Sequence, residues 1–273
     1  VIDRTPLGRA VLSGAVVDAA ALVIPWSDPA AQWGWGVFET IAVRASAPRR
    51  LHAHLARLTV AAGRLGVPLP PPAELHRATW TVAEDLSGER GWVKIAVSRS
   101  GEYAVFGGLV DPAEVGRPVA AIVLPWRRHR LDPATGIKSL SYVPSVLGLE
   151  EARRRGADEG LWLNERGHLI EASTGNLFVV RGRAAVTPSL KDGARDGVTR
   201  ARAIDLLRRF GLAVRQSKVR IATLRGADEV FLTSSLRGAR PVVRIDGRSV
   251  RGGEPGTISR RLASAIDEER DDA

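Results

Sequence analysis

A chain of 273 residues without a single cysteine has no disulfide and no thiolate-bound metal to brace it. Its fold must therefore rest on buried apolar surface. With 44% hydrophobic residues, the length allows one large domain or two modest ones, and the composition is not that of a disordered chain. Cysteine nucleophiles and iron–sulfur clusters drop out of the available chemistry as well. No stretch approaches the roughly 18 uninterrupted apolar residues of a membrane span. The opening, Val1 to Ala20, carries acids, glycine and proline where a secretion signal has an apolar block. The cytoplasm is the expected compartment, with no membrane partner.

Forty basic against 30 acidic residues give a net charge of +10, which raises the question of a nucleic-acid surface. Arginine outnumbers lysine 36 to 4 and is spread along the chain, more like biased composition than a phosphate-tracking face. The densest cluster, Arg127, Arg128, His129 and Arg130, has one aromatic neighbour, Trp126, and no repeated stacking pattern. No nucleic-acid partner is expected.

Hydrophobic periodicity mixes two repeats. Val93, Ile95 and Val97 alternate with Lys94, Ala96 and Ser98, which predicts a half-buried strand over Trp92 to Arg99. Thr40 to Val43 suits another. Over His54 to Leu65, the residues Leu55, Leu58, Ala61, Ala62 and Leu65 fall at helical spacing, and Gly66 and Pro68 end the run. Residues 126–136 are basic, contain proline and lack period, so they read as a linker. This divides the chain into a small amino-terminal α/β domain (residues 1–125) and a larger carboxy-terminal one (137–273). Beyond the linker, helices are expected over Val146 to Arg155 and Thr199 to Phe210. Strands are expected at Leu161 to Leu163, Leu169 to Ile170, Leu177 to Val180, Val230 to Thr233 and Val242 to Ile245. Strands outnumber helices and come as hairpin neighbours as well as across helices, which predicts α+β domains with mixed sheets.

Several chemistries are missing their motifs. There is no Gly-x-Ser-x-Gly elbow, no phosphate loop ending in Gly-Lys-Ser/Thr and no His-Glu-x-x-His. His52 and His54 have no acid beside them, so a structural role is the plainer one. Lysine scarcity is more informative, because arginine cannot lose its proton and form an imine. Of Lys94, Lys138, Lys191 and Lys218, only Lys138 stands between an apolar entry, Ile137, and a run containing Leu140 and Tyr142. Composition alone leaves an ordinary solvated lysine equally open.

The surrounding words add to this. Ile137-Lys138-Ser139-Leu140-Ser141-Tyr142 is followed by Glu151-Ala152, Gly156-Ala157-Asp158-Glu159 and Leu169-Ile170-Glu171-Ala172-Ser173-Thr174-Gly175-Asn176. Upstream stand Gly36-Val37-Phe38-Glu39-Thr40 and His54-Leu55-Ala56-Arg57-Leu58; downstream come Gly197-Val198-Thr199-Arg200 and Ala227-Asp228-Glu229-Val230-Phe231. From about residue 33 to 245 the chain resembles the class IV aminotransferase and aminodeoxychorismate lyase family. That resemblance implies two α/β domains of fold type IV with pyridoxal 5'-phosphate (PLP) between them, and a homodimer. It implies that Lys138 carries the cofactor as a Schiff base and that Glu171 pairs with its pyridine nitrogen. Arg57, the turn at Val198 and Thr199, and Ser234 and Ser235 would hold the phosphate, and Tyr142 the ring hydroxyl. Trp35 stands where the family often has Asp, which bears on the substrate side of the pocket.

Phe231-Leu232-Thr233-Ser234-Ser235-Leu236-Arg237-Gly238 and Arg99-Ser100-Gly101 resemble lyase words more than those of branched-chain aminotransferases. The expectation is a 4-amino-4-deoxychorismate lyase giving 4-aminobenzoate and pyruvate for folate synthesis. Lys138 would move the proton, Thr40 would serve the leaving group, and Arg99 or Arg240 would hold a substrate carboxylate. The alternative is an aminotransferase acting on D-amino acids, branched-chain amino acids or amines, with a keto-acid acceptor.

Overall fold

The alternation at Val93, Ile95 and Val97 belongs to one strand of a six-stranded sheet. A computed structural model describes residues 5–86 and 90–268, which fall into two compact units. The first runs to Pro112 and includes Ile137–Tyr142. Its elements are β1 (Arg9–Leu12), β2 (Ala15–Asp18), α1 (Pro29–Trp33), β3 (Gly36–Arg44), β4 (Ala47–Pro48), α2 (Leu51–Leu65), α3 (Pro72–Glu84), β5 (Arg90–Ser98) and β6 (Tyr103–Leu109). The strands lie in the order β2-β1-β6-β5-β3-β4. Val37, Ile41 and Val43 of β3 share a face with Val93, Ile95 and Val97 of β5, and this face packs on Leu55 and Leu58 of α2 and Leu75 and Val82 of α3. Burying such branched side chains stabilises the unit by about 2 kcal/mol each. Gly66 ends α2 in the left-handed conformation, φ 63°, which glycine adopts without the Cβ penalty. The opposite strand face carries Phe38, Thr40, Lys94, Ala96 and Phe106.

The Ile137–Tyr142 segment is stitched to the start of β3. Phe38 N–H donates to the Lys138 carbonyl at 3.0 Å, Leu140 N–H to the Gly36 carbonyl at 2.9 Å, and Val37 bridges Ser139. A Cβ on Gly36 would lie 2.4 Å from the Val97 carbonyl oxygen and 2.5 Å from Leu140 Cδ1, so only glycine permits this approach.

The second unit contains β7 (Val119–Arg128), α4 (Val143–Arg154), β8 (Glu159–Asn164), β9 (His168–Ala172), β10 (Asn176–Arg181) and β11 (Ala184–Pro188). It continues with α5 (Val198–Arg209), β12 (Ala213–Ser217), β13 (Val219–Arg220), α6 (Ile221–Arg225), β14 (Glu229–Ser234), β15 (Gly238–Ile245), β16 (Arg248–Ser249) and α7 (Thr257–Glu268). Its sheet runs β12-β11-β10-β14-β15-β7-β8-β9-β13, with β16 on β15. The pairs β11·β12, β15·β7 and β7·β8 are parallel and the others antiparallel. This is the mixed α+β architecture expected. One core lies among Leu161, Leu169, Leu177, Leu232 and Val242, and another, under α5 and α7, contains Phe178, Phe231, Leu207 and Leu262.

The division between units differs from the expected one. The second unit begins near Ala113, and β7 continues to Arg128 because Arg127 and Arg128 pair with Leu163 and Asn164 of β8. Residues 126–128, expected in the linker, are therefore strand. Ile137–Tyr142, expected at the head of the carboxy-terminal domain, groups with the first unit through its bonds to β3. Among the described residues no helix is long and apolar enough to cross a membrane.

Candidate active site

Lys138 owes its position to the backbone bonds that fix its segment beside β3. Its Nζ lies 3.8 Å from the centroid of the Phe38 ring and 5.4 Å from that of Tyr142. The two rings meet edge to face at 5.2 Å. Thr40 lies on the same strand face as Phe38, directly across from Lys94. Lys94, read from sequence as lying on a polar strand face, points its Nζ at the Phe38 and Phe106 rings, 4.7 and 5.8 Å from their centroids. Burial lowers the pKa of its amine.

On the opposite face of β3, Glu39 is fully buried. Arg57 donates to it through Nε at 2.7 Å and Nη2 at 2.6 Å, and His54 Nδ1 lies 2.7 Å away. Burial opposes the Glu39 charge, but the Arg57 guanidinium and the His54 hydrogen bond override it and hold the carboxyl well below its usual range. Burial pushes the His54 pKa down, against the pull of Glu39. Arg57, expected at the cofactor phosphate, is thus oriented by Glu39 from within its own unit. Its side chain keeps 18% exposure. This triad was missed in the sequence because the acid lies 15 residues from His54. The available signal was one acid on the strand face otherwise formed by Val37, Ile41 and Val43.

In the second unit, Glu171 on β9 is buried opposite Trp162 of β8. Arg128 Nη1 donates to its Oε1 at 2.6 Å, while Arg128 Nη2 donates to Ser145 Oγ at 3.0 Å. The guanidinium stacks 4.2 Å from the Trp162 ring centroid. Arg195 adds its backbone N–H, 3.2 Å from Oε2, and its side chain at 3.6 Å. Arg128 and Arg195 carry no sequence signal that separates them from the chain's other arginines.

Val198 and Thr199 open α5, whose cap residue Gly197 provides no side-chain hydrogen bond. The first backbone N–H groups of such a helix favour an anion. A Cβ on Gly197 would meet Asn176 Oδ1 at 2.0 Å, and Asn176 Nδ2 donates to the Arg195 carbonyl at 2.9 Å. Buried Arg200 ties the same turn to the Pro188 carbonyl at 3.0 Å and to Gln216 at 2.9 Å. Thr199 Oγ1 lies 3.5 Å from Ser235 Oγ. Ser235 follows β14, which Ser234 ends by pairing with Gly238 of β15.

The residues expected on the substrate side are divided between the units. Arg99 and Trp35 are exposed on the first, with the guanidinium 5.5 Å from the indole centroid and Trp35 Nε1 donating to the Leu65 carbonyl. Arg240 belongs to the second, 2% exposed and bonded to the fully buried Glu159. Its guanidinium is committed to an internal ion pair.

Residues 36–245 match the family described as Amino-transferase class IV. The chain belongs to the class IV aminotransferases. It is similar to a putative branched-chain-amino-acid aminotransferase of Methanocaldococcus jannaschii, 28% identical, with 92% of each chain covered. It is also similar to a probable branched-chain-amino-acid aminotransferase of Aquifex aeolicus, 34% identical over 58% of this chain and 50% of the other. Among solved structures it is similar to the branched-chain aminotransferase of the archaeon Thermoproteus uzoniensis with norvaline, at a TM-score of 0.86 and 26% identity over 96% and 94% of the two chains. Another solved branched-chain amino acid aminotransferase with which it shares the fold, at a TM-score of 0.88, is complexed with N-(5'-phosphopyridoxyl)-L-glutamate. This class IV aminotransferase is accordingly a PLP-dependent enzyme of fold type IV.

The lyase expectation is overturned by these relatives, and the geometry explains why its two words misled. In the first, Ser234 and Gly238 close the β14–β15 hairpin, so Ser235, Leu236 and Arg237 form its turn. In the second, Ser98 and Ser100 both donate to Asp28 and Gly101 takes φ 95°. Small polar residues and glycine meet the needs of these turns whatever the reaction. Each unit by itself carries donors of the kind PLP calls for: the first an amine on apolar ground, the second a buried carboxylate held by arginines and an uncapped helix start with a hydroxyl pair beside it.

Proposed function

We propose that this chain transfers the amino group between a branched-chain amino acid and a 2-oxo acid, with Lys138 as the Schiff-base lysine. The observation that carries the catalytic assignment is Lys138 itself, one of four lysines in the chain, its amine set 3.8 Å from the Phe38 ring centroid. Similarity along nearly the whole chain to enzymes named branched-chain aminotransferases supports the substrate class. The strand face of Phe38, Ala96 and Phe106 carries no carboxylate and suits an apolar side chain.

When bound, PLP supplies an electron sink for the charge that develops at the amino-bearing carbon. Lys138 Nζ would take the proton from that carbon of the amino acid and, in the second half of the exchange, deliver one to the matching carbon of the 2-oxo acid as it becomes the new amino acid. Glu171, oriented by Arg128 and Arg195, would accept the hydrogen bond of the pyridine N–H. The N–H groups at Val198 and Thr199, with the Ser234 and Ser235 hydroxyls, would bind the phosphate, the role also expected of Arg57. Tyr142 would donate to the ring hydroxyl, and Thr40 offers a hydroxyl on the Phe38 face. A homodimer belongs to the same reading, supported by the exposed apolar stretch of Val23, Ile24, Trp26 and Trp33.

Borohydride reduction of the PLP-loaded protein, followed by peptide mapping, tests the lysine. The adduct is expected on Lys138 and absent from Lys138→Ala; an adduct elsewhere refutes the assignment. Mixing with L-leucine, L-isoleucine or L-valine and 2-oxoglutarate is expected to yield L-glutamate. Turnover with D-alanine alone would move the substrate class to D-amino acids.

A further inference from the structure

Lys94 combines three properties that no step above uses. Its amine is drawn toward the rings of Phe38 and Phe106, it stands across from Thr40, and among the described residues it has no carboxylate partner. Lys138 directs its amine at the same Phe38 ring, 3.8 Å from the centroid against 4.7 Å for Lys94. The two distances together keep the amines within roughly one Debye length of each other at physiological salt, about 8 Å. Both side chains belong to the first unit.

We propose that Lys94 is an electrostatic positioning residue that keeps the Lys138 amine in its uncharged, nucleophilic form by like-charge repulsion across the Phe38 ring. The inference rests on Lys138 being the Schiff-base lysine. A protonated amine has no lone pair with which to attack a carbonyl or accept a proton from carbon, so a lysine doing either gains from a neighbouring cation. The ring quadrupole favours a charged amine by about 0.5–2 kcal/mol, and two cations on one ring oppose that preference. Burial lowers the pKa of the Lys94 amine from its ordinary range.

The other titratable groups on neighbouring elements do not replace Lys94. Glu39 of β3 and Arg57 of α2 bind each other, and their charges offset. His54 of α2, which senses Lys138 electrostatically, has its pKa pushed down by burial. Tyr142, on the Lys138 segment, presents its ring. Lys94 is left as the cation whose charge is not matched by a carboxylate.

At the upper bound set by the two ring distances, about 8.5 Å, and an effective dielectric between about 20 and 80, a unit charge shifts its neighbour by about 0.4 to 1.4 pH units. The test loads the full chain with pyridoxamine 5'-phosphate, which leaves the lysine amines free, and acetylates it with isotope-labelled acetic anhydride across pH. Mass spectrometry of the Lys138 peptide gives the pH at which that amine becomes reactive. Lys94→Met is expected to raise it by about one unit, a roughly tenfold loss of Lys138 labelling at neutral pH. Lys94→Arg, which keeps the charge, is expected to restore the low value. An unchanged Lys138 profile in Lys94→Met, or Lys94→Arg behaving like Lys94→Met, overturns the proposal. Failure of the underlying assignment is read separately, as a borohydride adduct that maps away from Lys138.

Discussion

Replacing Glu39 by glutamine removes the acceptor charge from the triad under β3 while leaving the shape of the side chain almost unchanged. Three contacts are affected: two from Arg57 at 2.7 and 2.6 Å and one from His54 at 2.7 Å. Hydrogen bonds to a charged partner contribute roughly 1.5–3 kcal/mol each. The amide retains one oxygen for His54, and the Arg57 side chain, 18% exposed, recovers part of its hydration. The expected cost is therefore about 3 kcal/mol, toward the lower end for breaking a buried ion pair. Urea denaturation of Glu39→Gln and the wild type at neutral pH, followed by circular dichroism, measures it as a shift in midpoint at constant slope. Adding Arg57→Met should recover part of the loss, since the guanidinium that faced the acid goes with it, giving a coupling of about 1–3 kcal/mol. A loss below about 1 kcal/mol for Glu39→Gln, or strict additivity in the double variant, refutes the view that the acid and the arginine are one structural unit.

Two further perturbations separate structural from functional roles. Arg240→Met removes the nearer of two cations on buried Glu159, leaving Arg237 at 3.9 Å, and is expected to cost about 3 kcal/mol in the same denaturation assay. A raised KM for the amino acid at unchanged stability would instead make Arg240 a substrate contact. For pH, the sign follows from His54: its folded pKa is depressed, so below the unfolded value near about 6.5 the unfolded chain binds the proton first. Stability is then present above that pH and falls as pH drops below it, by at most about 1.4 kcal/mol per unit for one histidine. The slope between about pH 6.5 and 5 should flatten in His54→Asn, and an unchanged slope assigns the acid sensitivity elsewhere.

Local pattern carried most of the secondary structure because those signals need only neighbouring residues. The alternation of Val93, Ile95 and Val97 announced a strand that the structure extends to Arg90–Ser98. Helical spacing placed α2 and α5 to within three residues at each end. The unit boundary was less legible for a physical reason. Ile137–Tyr142 joins the first unit by pairing with Gly36, Val37 and Phe38, about a hundred residues earlier, and no local composition announces such a pairing. Arg127 and Arg128 looked like linker because they are basic and beside a proline, yet β8 supplies them with strand partners.

The same distinction governs the site. Lys138 could be singled out because replacement of lysine by arginine nearly everywhere made each remaining lysine informative, and the words around it supplied the rest. The arginines had the opposite problem. With 36 in the chain, nothing local separates Arg128, which grips Glu171, from Arg240, which is bonded to Glu159. An acid on an apolar strand face is a stronger signal, because burying a carboxylate without partners costs several kcal/mol and so demands a cation from elsewhere in the fold. Glu39, between Val37 and Ile41, meets that condition from sequence alone. The fold supplies that cation as Arg57 of α2, with His54 beside it. In an arginine-rich chain, the scarce charges on apolar faces, Glu39 and Lys94, tell more about the site than the abundant ones.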